Sequence, residues 1–132
     1  MRILLIEDDD AIRDVFKMIL EIEAGLPDLI VDPASSGASG LASARQFTPD
    51  VILLDLTLPG EDGFEIFRQL QQLENTAHVP VIAVTAHSGD HIKKQVMDAG
   101  FTACVTKPVD FDTTLFPLLH RFFSKKDVPH VA

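Results

Sequence analysis

Five short apolar runs constrain this chain more than any other feature: "RILLI", "LIVDPA", "VILLD", "VPVIAVT" and "ACVT". Each is four to seven residues long. The middle ones lack the polar alternation of a sheet with one wet face, so they read as strands buried on both faces, as in a parallel sheet. Helical spacing fills the gaps between them. Ile12, Val15, Phe16 and Ile19 form one apolar stripe, and Ala38, Leu41, Ala42 and Arg45 form a weaker one after a Ser-Gly start. Phe67, Leu70 and Leu73 or Glu74 mark a third helix, and Ile92, Val96 and Ala99 a narrow fourth. Leu115, Leu118, Leu119, Phe122 and Phe123 mark the strongest, which should begin near Thr113 or Thr114 so that Pro117 falls in its first turn.

Strands alternating with helices predict an α/β doubly wound, flavodoxin-like fold: five parallel strands in the order 2-1-3-4-5, with right-handed crossovers and five helices. At 132 residues and 46% hydrophobic content, one domain with a sizeable core is expected. It should occupy residues 1–124, leaving 125–132 as a loose tail. Within these 132 residues, no folded output domain is expected after that point. The net charge of −9 argues against direct nucleic-acid binding and against anionic membrane surfaces. A single cysteine excludes an internal disulfide, and no apolar run approaches the ~18 residues of a membrane span. Neither does "MRILLIEDDD" read as a signal peptide, so a cytoplasmic location is expected.

In such a sheet, sites form beyond the carboxyl ends of the strands. The first run ends in Glu7, Asp8, Asp9 and Asp10, the third in Asp55, the fourth in Thr85 and Ala86, and the fifth in Thr106, Lys107 and Pro108. In the order 2-1-3-4-5 these four strands are consecutive neighbours. Glu7, Asp8, Asp55, Thr85 and Lys107 should therefore converge on one rim. Clustered carboxylates repel one another and call for a hard cation, which Mg²⁺ satisfies, with Mn²⁺ as its substitute. A carboxylate facing a metal, a lysine and a hydroxyl is equipped to accept a phosphoryl group, with Asp55 as nucleophile.

The constellation closely resembles the receiver domain of two-component response regulators, of the single-domain, chemotaxis-regulator-like type. The resemblance rests on "LLIEDDD", "VILLDLTLPGEDGFE", "VIAVTAHS" and "VTKPVD" in order, and runs from about Arg2 to Phe123. It implies that Asp55 is the phosphoacceptor. It further implies that Asp8 binds Mg²⁺ directly, that Glu7 assists through water, and that Thr57 offers its backbone carbonyl. Thr85 and the backbone N–H of Ala86 would contact the phosphoryl oxygens, Lys107 would pair with Asp55 and then with the phosphoryl group, and the Lys107–Pro108 bond would be cis. Such a domain catalyses its own phosphorylation and dephosphorylation. Its donor is a sensor histidine kinase or a histidine phosphotransfer protein, and a downstream protein reads its fourth helix, fifth strand and fifth helix. The chain would be a stand-alone receiver or one excised from a longer protein.

Simpler readings stand beside these. Asp9 or Asp10 caps the first helix. Pro59, Gly60 and Gly63 are turn residues. "SSGASG", Ser35 to Gly40, is a loop into the second helix, since it lacks a phosphate-loop lysine. Three positions depart from the family pattern. Cys104 stands where receivers carry an aromatic switch residue, so the Thr85 arm of the switch lacks its partner. Thr102-Ala103 replaces an acidic pair used in dimerisation. Thr57 and His87 occupy the variable positions that tune dephosphorylation. Two other functions compete: a pseudo-receiver that never carries phosphate, against which the intact site set speaks, and an aspartyl-phosphate phosphatase. The phosphatase would want an acid at position 57 and room for a cap.

Overall fold

The computed structural model describes residues 1–127, with side chains through residue 123. The described elements are β1 (Arg2–Ile6), α1 (Asp10–Glu23), β2 (Ile30–Ala34), α2 (Gly37–Gln46), β3 (Val51–Asp55), α3 (Gly63–Gln72), β4 (Val81–Thr85), α4 (Asp90–Ala99), β5 (Ala103–Thr106) and α5 (Phe116–Asp127). The strands form one sheet in the order β2-β1-β3-β4-β5, and every pairing is parallel. This is the flavodoxin-like topology expected from the strand pattern.

The sheet separates two apolar layers. Ile3, Leu5, Val51 and Leu53 face Phe16 and Leu20 of α1 and Leu115, Leu119 and Phe123 at the end of the chain. Leu4, Ile6, Ile52 and Leu54 face Leu41, Ile66, Phe67 and Leu70, with Val96 of α4. Successive residues of β1 and β3 thus enter opposite cores, which is why their sequences show no polar alternation. Pro33 is accepted in β2 because that strand lies at the sheet edge.

Four local expectations need correction. In α1, Phe16 and Leu20 are buried, but Ile12 and Val15 are 44% and 49% exposed. The apolar arc of this helix is wider than its core contact. In α2, the buried set is Gly37, Gly40, Leu41 and Ala44, one residue out of phase with the expected stripe. "SSGASG" is largely helical rather than a loop, because Ser36 and Ser39 form a reciprocal capping box and Gly37 begins the helix. Its glycines are packing residues. A Cβ at Gly40 would lie 2.5 Å from Ile6 Cδ1, and one at Gly37 2.7 Å from Ile66 Cδ1.

Third, winding toward the last helix starts at Phe111, earlier than expected, in a wide turn over Phe111–Leu115 capped by Asp110. Pro117 has no N–H and its ring crowds the preceding turn, so a wide i→i+5 turn ahead of it relieves the clash. α5 also continues to Asp127, past the expected boundary at 124, and residues 128–132 of the expected tail lie outside the described residues. Fourth, Gly63 is not a turn residue. It opens α3, where a Cβ would come within 2.7 Å of Leu56 Cδ2 and 3.0 Å of Leu56 Cα. Gly60 is the turn residue. It has φ of +69° after Pro59, and the Glu61 N–H closes the turn on the Leu58 carbonyl.

Candidate active site at the carboxyl rim of the sheet

The rim is built from strand ends. β3 delivers Asp55 as its last residue, only 3% exposed, and β1 delivers Glu7 one residue past its end, also 3% exposed. Asp8 follows and faces solvent, with its N–H donating to Glu7 Oε2 at 3.1 Å. Oxygens of Glu7, Asp8 and Asp55 all lie within 4.8 Å of one another. Lys107, just beyond β5, reaches across β4 to this cluster. Its Nζ donates to Asp55 Oδ2 at 2.7 Å and lies 3.3 Å from Glu7 Oε1. Its backbone N–H donates to the Thr85 carbonyl at 2.7 Å, and the Lys107–Pro108 bond is cis.

The two oxygens of Asp55 are held separately. Oδ2 takes Lys107, while Oδ1 accepts both the backbone N–H of Thr57 at 2.8 Å and its hydroxyl at 2.7 Å. Burial alone would push the Asp55 carboxyl up, but Glu7, Lys107 and Thr57 outweigh it and bring it down to about 2. Glu7 moves the other way, pushed up to about 7 by burial and then by the adjacent Asp55. The Lys107 ammonium is held above its ordinary range, since Asp55 and then Glu7 outweigh the cost of burial. Asp55 is thus an ionised carboxylate inside a nearly dry wall.

The donor set is all oxygen, and one lysine faces three carboxylates. The Glu7 carboxyl, held near neutrality by its surroundings, marks a deficit of positive charge. This fits a hard divalent cation such as Mg²⁺ or Mn²⁺ held by Glu7, Asp8 and Asp55.

Not every expected residue joins the cluster. Thr85 is fully buried at the end of β4, and its hydroxyl accepts the backbone N–H of His87 at 3.1 Å instead of touching Asp55. Ala86 and His87 are exposed in the loop that follows, and Thr57 is exposed on the other side. Cys104 is half-buried on β5, opposite Ala83, and burial pushes its thiol up. Asp9 is the N-cap of α1, accepting the Ile12 N–H at 3.0 Å, so the capping role is its own rather than that of Asp10.

Two contacts were not anticipated from the sequence. The Thr57 hydroxyl bonds Asp55, a contact beyond the metal-facing carbonyl and the dephosphorylation-tuning position that the resemblance implies. Arg13 sits under the acidic loop and bonds the carbonyls of Glu7 and Asp8. One signal pointed to it: a cation in the first turn of a helix opposes the helix dipole and needs a local partner. Beside Lys107 lies an apolar groove of about 640 Å³ lined by Ile12, Val15, Phe16, Pro108, Val109 and Phe111. The outward residues of α1 form its wall.

A family model described as "Response regulator receiver domain" matches residues 3–116. The chain is 42% identical over 114 residues to the DNA-binding dual master transcriptional regulator RpaA of Synechocystis, covering 86% of this chain and 46% of RpaA. It therefore spans about half the length of that relative, and a smaller share, 24%, of the response regulator PleD of Caulobacter vibrioides. It is 36% identical to protein PilH of Pseudomonas aeruginosa, covering 86% of this chain and 91% of PilH. Among solved structures, a CheY-like receiver domain protein from Methanospirillum hungatei matches with TM-score 0.79 and 28% identity, covering 95% of each chain. The receiver domain of the sensor histidine kinase PA1611 from Pseudomonas aeruginosa, solved with magnesium in its active-site cleft, matches with TM-score 0.79 and 29% identity, over 93% of this chain and 97% of that one.

Proposed function

Because the chain belongs to the response regulator receiver domain family, we propose that it is a phosphoacceptor in which Asp55 takes a phosphoryl group from a phosphohistidine. The donor is a sensor histidine kinase or a histidine phosphotransfer protein. The observation that carries this reading is Asp55 itself, 3% exposed yet held ionised, with Lys107 on one oxygen and Thr57 on the other. An Asp55 oxygen forms the new O–P bond as the N–P bond of the phosphohistidine breaks, and the imidazole leaves with the bonding pair and takes up a proton. Glu7, Asp8, Asp55 and the backbone carbonyl of Thr57 would hold Mg²⁺, which when bound offsets the charge on the carboxylates and on the transferring oxygens.

The chain's own groups do the rest. Lys107 exchanges Asp55 for a phosphoryl oxygen, which needs only a small shift of a flexible stem. The Thr85 hydroxyl turns from the His87 N–H toward the same group, and the Ala86 N–H donates alongside it. Thr57 and His87, both exposed, set how easily water reaches the acyl phosphate. Phosphorylation biases a two-state equilibrium of α4, β5 and α5, the face read by a downstream protein. Cys104 stands on that face without the ring that other receivers swing inward. The apolar groove next to Lys107 favours a protein donor over a free small molecule. The domain's net acidity suits protein partners rather than nucleic acid, in the cytoplasm.

Incubation with a small phosphodonor and Mg²⁺, followed by intact-mass measurement, tests the assignment. Wild type should gain one phosphoryl mass and Asp55→Asn none. Absence of any gain in wild type, or an equal gain in the variant, would overturn it.

A further inference from the structure

We propose that Arg13 is a positioning residue for the metal-binding carboxylates. The inference rests on the metal site of the proposed function and deepens it. Arg13 lies in the first turns of α1, where the helix dipole disfavours a cation. Its side chain is nevertheless only 15% exposed, so the guanidinium is held inward by specific partners. Nη1 donates to the Glu7 carbonyl at 2.9 Å and reaches the Asp8 carbonyl at 3.3 Å, while Nη2 pairs with the Asp10 carboxylate. The segment from Glu7 to Asp10 is wrapped around one planar cation.

The identity of the two carbonyls is what matters. They belong to Glu7 and Asp8, whose carboxylates lie within 4.8 Å of each other and of Asp55. Fixing both carbonyls fixes the peptide planes on either side of Asp8, and with them the directions in which the two side chains leave the backbone. Without that hold, two like charges on a short loop would splay apart. The Asp10 pair is a weak anchor by comparison, because that carboxylate is 86% exposed. The hold on the loop therefore resides in the carbonyl bonds, which are charge-assisted. A lysine would supply the charge but not the fork, whose Nη1 serves both carbonyls while Nη2 is tied to Asp10.

The test is metal affinity in the full chain, read as free Mn²⁺ by electron paramagnetic resonance and by competition with Mg²⁺. Loss of groups that orient metal ligands typically costs 10–100-fold in affinity, so Arg13→Gln should weaken Mn²⁺ binding by about 10-fold or more. Arg13→Lys should fall between it and wild type, and Asp10→Asn, which leaves the carbonyl bonds in place, should stay within about threefold of wild type, as expected for an exposed pair. With a small phosphodonor, the Mg²⁺ concentration for half-maximal rate should rise in Arg13→Gln while the rate at saturating Mg²⁺ stays near wild type. Unchanged Mn²⁺ affinity in a folded Arg13→Gln protein overturns the proposal. If that variant does not fold, Arg13→Lys decides the matter on the same affinity reading. A lowered rate at saturating Mg²⁺ with unchanged half-saturation also overturns it, because Arg13 would then act on the chemical step. Should wild type itself bind no Mn²⁺, the metal site of the proposed function falls first. Tight binding by wild type and variants alike removes only the role of Arg13.

Discussion

Replacing Glu7 by Gln should stabilise the metal-free protein at neutral pH, and the size of the effect follows from one carboxyl group. Glu7 is 3% exposed and its pKa stands at about 7, against 4.5 for the ordinary group. Its folded value exceeds its unfolded one, so between pH 4.5 and 7 the folded state holds a proton that the unfolded state has lost. Stability from this group is complete below about 4.5 and drains away as pH rises to about 7. At about 1.4 kcal/mol per pKa unit, the loss above pH 7 comes to about 3 kcal/mol. Gln mimics the protonated acid at every pH and should escape that loss. Asp55 has the opposite sign, losing its contribution as pH falls from 3.8 toward 2, so its window lies clear of the one for Glu7. The chain has no Trp or Tyr, so calorimetry or far-ultraviolet circular dichroism must follow the melt, in EDTA from pH 5 to 8. Subtracting the two stability curves removes the histidines, which are common to both proteins. The difference should grow from about 1 kcal/mol at pH 5 to about 3 kcal/mol at pH 8, the latter worth about 10 °C in Tm. Added Mg²⁺ should stabilise wild type far more than the variant. Parallel curves from pH 5 to 8 would refute the reasoning.

Gly63→Ala should cost about 1–3 kcal/mol, because its Cβ would press on the Leu56 backbone next to Asp55 with nowhere to go. Gly60→Ala meets nothing within 4 Å and should cost less, only the strain of φ +69°, and thermal melts of the pair separate packing from backbone freedom. Changing Thr57 and His87 together should alter the half-life of the phosphorylated protein, timed as loss of the added mass. Unchanged decay would remove both residues from control of water access.

The strands were legible because burial on two faces leaves an unmistakable run of Val, Ile and Leu, and the strand order is one of the common ones for a doubly wound sheet. Asp55 stood out because a carboxylate ending such a run demands a partner. What escaped the sequence was whatever depends on close approach or on backbone atoms. Gly37 and Gly40 look like loop residues by propensity, yet they are buried because Ile66 and Ile6 leave no space for a side chain. Ile12 and Val15 read as core by spacing, yet the helix turns them outward into the groove beside Lys107. Arg13 acts on two carbonyls, and every residue has a carbonyl, so no pattern of side chains could name its partners.

The same division explains how the rim keeps its geometry. Paired strands β1, β3 and β4 set the positions of Glu7, Asp55 and Thr85, while Asp8 and Thr57 are carried by the loops that follow, and connecting loops are in general the more mobile parts of a fold. Each of those two loops is tied down from outside the cluster, by opposite charges acting on opposite backbone groups. Arg13, a cation, grips the carbonyls of Glu7 and Asp8. Glu61, an anion, accepts the Gly37 N–H at 2.9 and 3.1 Å and so fastens the loop after Asp55 to the start of α2. That helix has no acidic residue in its own first turn, so Glu61 also supplies the negative charge its dipole favours. With both loops anchored from behind, the carboxylates can be crowded together at the front, and burial, with the nearness of Asp55 second, leaves Glu7 holding a proton. A cation that displaces this proton recovers the stability it represents, and metal affinity at this rim should accordingly rise with pH up to about 7 and level off above it.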